Sequence, residues 1–325
     1  MYAWQFNEYG TYDKVLNWVE RDEPIPGDKE VRVRVEAVSL NFPDLLICQG
    51  LYQNKAPLPA VPGVEGVGIV DAVGANSKFK VGDRVVGFCH SGGTLADYYC
   101  VHDNQAWAVP DHVSNEQAAA LSVTYGTSYF GVKHRGQIEP GEVLLVLGAS
   151  GGVGLAAVQL GKVFGATVIA AAGSDEKLEI CKASGADHLI NYKNDDIIER
   201  VKALTNGRGA DVIYDPVGGD MFDQVKRCIN WEGRIVIIGF ASGRIPSIEC
   251  NRLLLKNMSV TGLAWGQYME RDPAKVGAGQ MHLYDMLKVK AIDPVIYTSL
   301  PFEDVKEGLK IMESRELYGK VVITR

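Results

Sequence analysis

The chain has 325 residues, 46% of them hydrophobic, and a formal net charge of -7 at pH 7. That length exceeds what one hydrophobic core ordinarily serves, so two domains are expected, and the acidic balance offers neither a basic footprint for nucleic acid nor a polybasic membrane patch. No apolar run is long enough to span a bilayer, the start Met1-Tyr-Ala-Trp-Gln-Phe-Asn-Glu8 lacks the basic-then-apolar pattern of a signal peptide, and the six cysteines lie scattered without a C-x-x-C pair, which suits free thiols in a reducing cytoplasm.

From Met1 to about Val123 the pattern is that of short strands. Val31-Arg-Val-Arg-Val-Glu36 alternates with period two, as in a half-exposed antiparallel strand. Turn signals separate such runs at Pro24-Ile-Pro-Gly-Asp28, Pro62-Gly63, Lys80-Val-Gly-Asp-Arg84 and Gly92-Gly93. This predicts a β-rich domain, a small barrel or sandwich. Ser114-Asn-Glu-Gln117 has the spacing of a capping box and opens a helix that makes a plausible domain boundary.

From Thr124 to about Asp293 strand and helix patterns alternate, as in an α/β, doubly wound parallel sheet. Its centre is Val143-Leu-Leu-Val-Leu-Gly148, a continuous apolar run expected of a strand buried on both faces. Small residues follow, and then apolar residues at helical spacing: Val153, Ala156, Ala157, Leu160, Val163 and Phe164. Thr167-Val-Ile-Ala-Ala171 reads as a second buried strand. A strand, a glycine turn, a helix and a strand make the first half of a dinucleotide-binding fold.

In that reading Ala149 stands where the tight turn usually has a glycine. Gly151 lets the backbone approach a pyrophosphate, and Gly154 lets the helix pack hard on the strand. Ser150, Gly151, Gly152, Val153 and Gly154 are therefore expected to bind cofactor, with the helix N-terminus attracting phosphate. Further strands are predicted at Asp211-Val-Ile-Tyr-Asp215, Gly233-Arg-Ile-Val-Ile-Ile-Gly239, Met258-Ser-Val-Thr-Gly262 and Gly319-Lys-Val-Val-Ile-Thr324. Ligands sit at the C-terminal ends of such strands, which adds Val217, Gly239 and Phe240 to the candidates.

The run Gly141-Glu-Val-Leu-Leu-Val-Leu-Gly-Ala-Ser-Gly-Gly-Val-Gly-Leu-Ala-Ala-Val-Gln-Leu-Gly-Lys162 matches the quinone oxidoreductase signature throughout. Asn41-Phe-Pro-Asp44, Gly50-Leu-Tyr52, Pro62-Gly-Val-Glu-Gly-Val-Gly68 and Gly82-Asp-Arg-Val85 support it. On these motifs the chain resembles the medium-chain dehydrogenase/reductase superfamily, and within it the zinc-free quinone oxidoreductase and zeta-crystallin branch. The resemblance implies a discontinuous, GroES-like β-barrel catalytic domain of residues 1–123 and 294–325 around a Rossmann domain of residues 124–293. It also implies a small-molecule substrate and a homodimer or homotetramer.

Zinc-dependent members carry Cys where this chain has Asn41, and Gly-His-Glu where it has Gly63-Val64-Glu65. A catalytic zinc needs three N, S or O ligands from the protein, and Val64 has none to give, so no metal is expected. Enzymes that use NAD place an acid at the end of the second strand for the ribose hydroxyl. Here that end is Ala170-Ala-Ala-Gly173, without one. Ser174 can cap the next helix, which puts Lys177 in its first turn, where a lysine alone opposes the helix dipole and a 2′-phosphate would reverse that cost. Tyr192 matches a family position beside the same phosphate. With Gly173 and Ser174 these residues point to NADPH.

For catalysis the resemblance implies Asn41, Tyr52 and Thr127 lining the substrate pocket. Asn41 either donates its amide to the substrate carbonyl or holds the nicotinamide. Tyr52 is a proton donor or a stacking wall, and Asp44 orients the loop. Three readings stay open: an NADPH-dependent quinone reductase, an NADPH-dependent reductase of activated double bonds such as enones or enoyl thioesters, and a non-catalytic NADPH-binding protein.

Overall fold

The structure, a computed structural model, describes residues 1–325. It resolves into two compact units: 1–123, 266–288 and 293–325 form the first, and 124–265 with 289–292 form the second. The segment 266–288, expected in the dinucleotide-binding domain, thus packs with the first unit. No local pattern in the sequence marks which unit this segment packs on.

The chain begins with a small antiparallel pair, β1 (Tyr2–Gln5) and β2 (Asn17–Glu20), linked by the short helix α1 (Tyr12–Val15). Strand β3 (Glu30–Ser39) alternates buried and half-exposed residues over its first half, as the period-two pattern requires. Helix α2 (Phe42–Gln49) follows, then β4 (Glu65–Val73), β5 (Arg84–Phe88), β6 (Tyr98–His102) and β7 (Ala106–Ala108). Helix α3 (Asn115–Tyr129) opens on the predicted capping box: the Gln117 amide N–H donates to Ser114 Oγ (3.1 Å) and Gln117 Oε1 accepts from the Ser114 N–H (3.2 Å). The boundary between units falls inside this helix.

The second unit is built on β8 (Val143–Leu147), α4 (Gly152–Val163), β9 (Thr167–Ala172), α5 (Asp175–Ala183), β10 (His188–Asn191), α6 (Ile197–Leu204), β11 (Ala210–Asp215), α7 (Gly219–Val225), β12 (Ile229–Ile237), α8 (Cys250–Lys256) and β13 (Ser259–Gly262). All six strands are parallel, in the order β10-β9-β8-β11-β12-β13. Numbered within the unit this is 3-2-1-4-5-6, the dinucleotide-binding order whose direction reverses beside the first strand. Every residue of β8 is buried, because helices cover both faces of the sheet. Val143, Leu145 and Leu147 join Ile197, Val201, Phe222 and Val225 from α6 and α7 in one core. On the opposite face Gly161 of α4 leaves no room for a methyl group, since a Cβ there would lie 2.7 Å from Leu144 and 2.9 Å from Val168.

After α9 (Trp265–Arg271) and α10 (Pro273–Lys288) come β14 (Ile296–Pro301), α11 (Val305–Ser314) and β15 (Lys320–Thr324). The last strand inserts into the first unit's sheet, in the order β14-β15-β3-β4-β5-β7. Along β3, Glu30 to Arg34 pair with β6 and Ala37 to Ser39 pair with β15. No helix of the chain is long and apolar enough to cross a membrane.

Candidate functional site

In the second unit the predicted cofactor residues gather at the C-terminal ends of the strands. Chain reversal after β8 rests on Gly148, at φ +56, a conformation glycine adopts without strain. The sequence placed the tight turn at Ala149; the structure puts it one residue earlier, and Ala149 still pairs with the sheet through its N–H to Ala171 O (3.0 Å). A Cβ on Gly154 would lie 2.3 Å from Gly148 O and 2.7 Å from Ala149 Cα, so Gly154 serves the closeness of helix to turn. Gly161 is the glycine that lets α4 lie close on the strands.

Gly151 is different. A Cβ there would meet only Gly148 O, at an ordinary 3.5 Å. Nothing inside the fold demands glycine at this position. Gly151 is also the N-cap of α4 and offers no capping side chain. The first N–H groups of a helix have no intrahelical acceptor, so those of Gly152, Val153 and Gly154 face outward with the positive end of the helix dipole. Ser150 stands buried beside them. By contrast α5 and α6 are capped, by Ser174 Oγ on the Lys177 N–H (3.4 Å) and by Asp196 Oδ1 on the N–H groups of Ile198 (2.9 Å) and Glu199 (3.2 Å).

The strand ends on either side complete the rim. Gly173 follows β9, and Lys177 is half-buried one helical turn on. Tyr192 follows β10, half-buried, with its N–H on Ala172 O (3.2 Å). After β11, Asp215 Oδ1 accepts the N–H groups of Val217 and Gly218 (both 2.8 Å), shaping the loop. This loop holds the next one: Ala241 N–H donates to Pro216 O (3.1 Å) and Ser242 N–H to Val217 O (3.0 Å), which places Gly239 and the exposed Phe240 beside Val217. Asp215 Oδ2 is buried without a partner, and burial pushes this carboxyl above its ordinary range. The loop from Asp215 to Gly219 is legible at the end of a strand pattern, but its free acceptor is not, because a buried lone pair is visible only once its neighbours are placed.

In the first unit the motif residues converge on a buried ionic cluster. Lys320, on β15, spends its three ammonium hydrogens on Leu40 O (2.7 Å), Asn41 Oδ1 (2.6 Å) and Glu65 Oε1 (3.4 Å). Glu65 also accepts from Asn41 Nδ2 (2.7 Å) and from the Val123 N–H (2.8 Å). Burial pushes the Lys320 ammonium down and the Glu65 carboxyl up, and their mutual attraction opposes both shifts. Asp44 accepts the N–H groups of Asn41 (2.7 Å) and Gly63 (3.1 Å), tying the start of α2 to the Gly63-Val64-Glu65 segment. Its carboxyl is pushed up to about 7 by burial.

This geometry corrects one expectation. Asn41 was a candidate to donate its amide to a substrate, but both amide hydrogens are engaged, on Ser39 O (3.0 Å) and Glu65 Oε1, and its oxygen is held by Lys320. Sequence reading missed Lys320 because it lies 279 residues from Asn41 and carries no motif. Tyr52 follows the left-handed Gly50 that ends α2. It is half-buried, its hydroxyl has no partner in the protein, and burial raises its phenol above the ordinary range. Thr127 is half-buried on α3, in the second unit. Nowhere do three His, Cys, Asp or Glu side chains group to hold a metal ion.

Comparison with known proteins agrees with both units. The family model described as alcohol dehydrogenase GroES-like domain matches residues 27–111, and that described as zinc-binding dehydrogenase matches residues 152–276. The chain is 43% identical over 300 residues to a quinone oxidoreductase-like protein 2 homolog of Nematostella vectensis, covering 91% of this chain and 82% of that protein. Among solved structures, Escherichia coli quinone oxidoreductase complexed with NADPH aligns with a TM-score of 0.93 and 30% identity over 100% of both chains. CurK enoyl reductase aligns with a TM-score of 0.88 and 29% identity over 99% of this chain and 98% of that one.

Proposed function

The chain belongs to the medium-chain dehydrogenase/reductase family, in its quinone oxidoreductase-like branch, and from that premise we propose that it is an NADPH-dependent oxidoreductase that reduces a quinone. The observation that carries this reading is the uncapped start of α4 behind Gly151, with open space where a side chain would stand. It lies beside the strand-order reversal, where this fold binds dinucleotides. A pyrophosphate would supply the acceptors that the first-turn N–H groups lack.

Bound NADPH supplies a hydride from C4 of its nicotinamide. The 2′-phosphate choice is supported by the end of β9, where Gly173 and Ser174 stand instead of a carboxylate and Lys177 is near. Tyr52 keeps its proton at neutral pH and has its hydroxyl free, so it is the donor we assign to the substrate oxygen. Asn41 we assign to positioning, since its amide is held at both ends, and Thr127 we retain as a substrate or nicotinamide contact. We further propose that the protein works without zinc. The Lys320 ammonium already occupies the side of Asn41 and Glu65 that a cation would need, and buried Val64 has no donor atom.

A second reading, reduction of a double bond conjugated to a carbonyl, is supported by the likeness to CurK enoyl reductase and by the free Tyr52 hydroxyl. Such a substrate needs its carbonyl polarised as the hydride arrives, whereas a reduced quinone can take protons from water. Following NADPH oxidation by purified protein in chelator, against quinones, enones and enoyl-CoA thioesters, separates the readings. Quinone turnover is expected. Turnover confined to enones or thioesters moves the assignment to the second reading, and none at all leaves a non-catalytic NADPH-binding protein. Activity lost in chelator and restored by zinc would overturn the metal-free assignment.

A further inference from the structure

We propose that Lys193 is a second cation, beside Lys177, that reads the ribose 2′-phosphate; this rests on the NADPH reading above. Strand β10 runs parallel to β9 with Asn191 opposite Ala172. The residues that follow, Tyr192 and Lys193, therefore stand beside Gly173 at the strand end, where this fold holds the adenosine ribose. The side chains close on that point. A Cβ on Gly173 would lie 3.2 Å from the Tyr192 hydroxyl and 3.4 Å from Lys193 Cε, the methylene that bears the ammonium.

The turn is held by Asn191, whose Oδ1 accepts the Lys193 N–H (3.2 Å). Three acids nearby bond to other groups. Asp175 accepts from Asn191 Nδ2 (2.8 Å), Asp195 from the Asn191 N–H (3.2 Å), and Asp196 caps α6. None of them pairs with Lys193, which is left exposed with its charge beside the phenol of Tyr192. A phosphate dianion on the ribose would meet one ammonium from α5 and one from the β10 turn. A ribose with a free hydroxyl would gain from neither charge.

The test measures dissociation constants of NADPH, NADH and 2′,5′-ADP by fluorescence and calorimetry, for the full chain and for Lys193→Ala, Lys193→Arg and Lys177→Ala. Lys193→Ala should weaken NADPH and 2′,5′-ADP about fivefold, the scale of an exposed ion pair. NADH should bind unchanged, Lys193→Arg should restore affinity, and added salt should shrink the difference. Unaltered NADPH and 2′,5′-ADP binding in Lys193→Ala, in a protein that prefers NADPH, overturns the role of Lys193 and leaves the cofactor reading standing. Equal losses for NADPH and NADH overturn it too. An unsubstituted protein with no preference for NADPH and no affinity for 2′,5′-ADP overturns the cofactor reading itself.

Discussion

Lys320 donates to the side-chain oxygen of Asn41 at 2.6 Å, across 279 residues of sequence. The same ammonium reaches Glu65 at 3.4 Å, and all three residues are buried. The closing strand of the chain therefore fixes the orientation of the Asn41 amide: oxygen toward the ammonium, nitrogen toward the carboxylate. Lys320→Met should cost stability, because it leaves a buried carboxylate without its cation, a loss of about 3–5 kcal/mol in comparable cases. Adding Glu65→Gln should return much of it. Urea unfolding of the single and double variants measures both, and equal stability of Lys320→Met and the unsubstituted protein would refute the arrangement.

A pH dependence follows at Asp44. Burial lifts its folded-state pKa from 3.8 to about 7, against the pull of the Asn41 and Gly63 N–H groups and of Lys320, with Glu65 adding to the rise. A raised folded-state pKa means that the folded protein holds this proton more tightly than the unfolded chain. The stabilisation is complete below about pH 4 and is lost as pH rises through 7. Relative to Asp44→Asn, the protein should therefore lose stability between pH 4 and 7, with a slope approaching about 1.4 kcal/mol per pH unit. Paired unfolding curves across that range decide it; the opposite slope would mean that the two N–H donors outweigh burial.

The two turn glycines should separate by phenotype. Gly151→Val has room within the protein and should melt normally while losing NADPH binding, since its side chain occupies the approach of the pyrophosphate. Gly154→Ala drives a methyl into Gly148 O and should destabilise by about 1–3 kcal/mol, as overpacking does. A thermal melt beside a fluorescence titration reads both. Undiminished binding by Gly151→Val would place the phosphates elsewhere.

Lys177→Ala should weaken NADPH about tenfold and leave NADH nearly unchanged, the low end for hydrogen bonds to charged groups. Tyr192→Phe should do less, since a phenol carries no charge. Equal losses for both cofactors would show that Lys177 does not read the 2′-phosphate.

The alternation of sequence patterns was enough to foresee the second unit. The run Val143 to Leu147 is apolar without a break because helices cover both faces of the sheet, and periodicity records burial directly. Ser114 and Gln117 announced α3 for a similar reason, since a cap is a contact between residues three apart. Local chemistry also marked Gly151 and the acid-free end of β9. What no local pattern carried was anything closed by a distant partner. Nothing local in 266–288 says which unit it joins until packing assigns it to the first. Lys193 is one more surface lysine until the β9–β10 register sets it over Gly173. Asn41 reads as a free amide until β15 brings Lys320 to its oxygen. The sequence by itself determined the two kinds of unit and marked the glycine turn we propose for the phosphate, because those depend on burial and backbone within a few residues. Tertiary structure alone decided which polar groups are spent and which remain free, because a hydrogen bond is satisfied by whatever the fold brings within about 3 Å, however far away it lies in the chain.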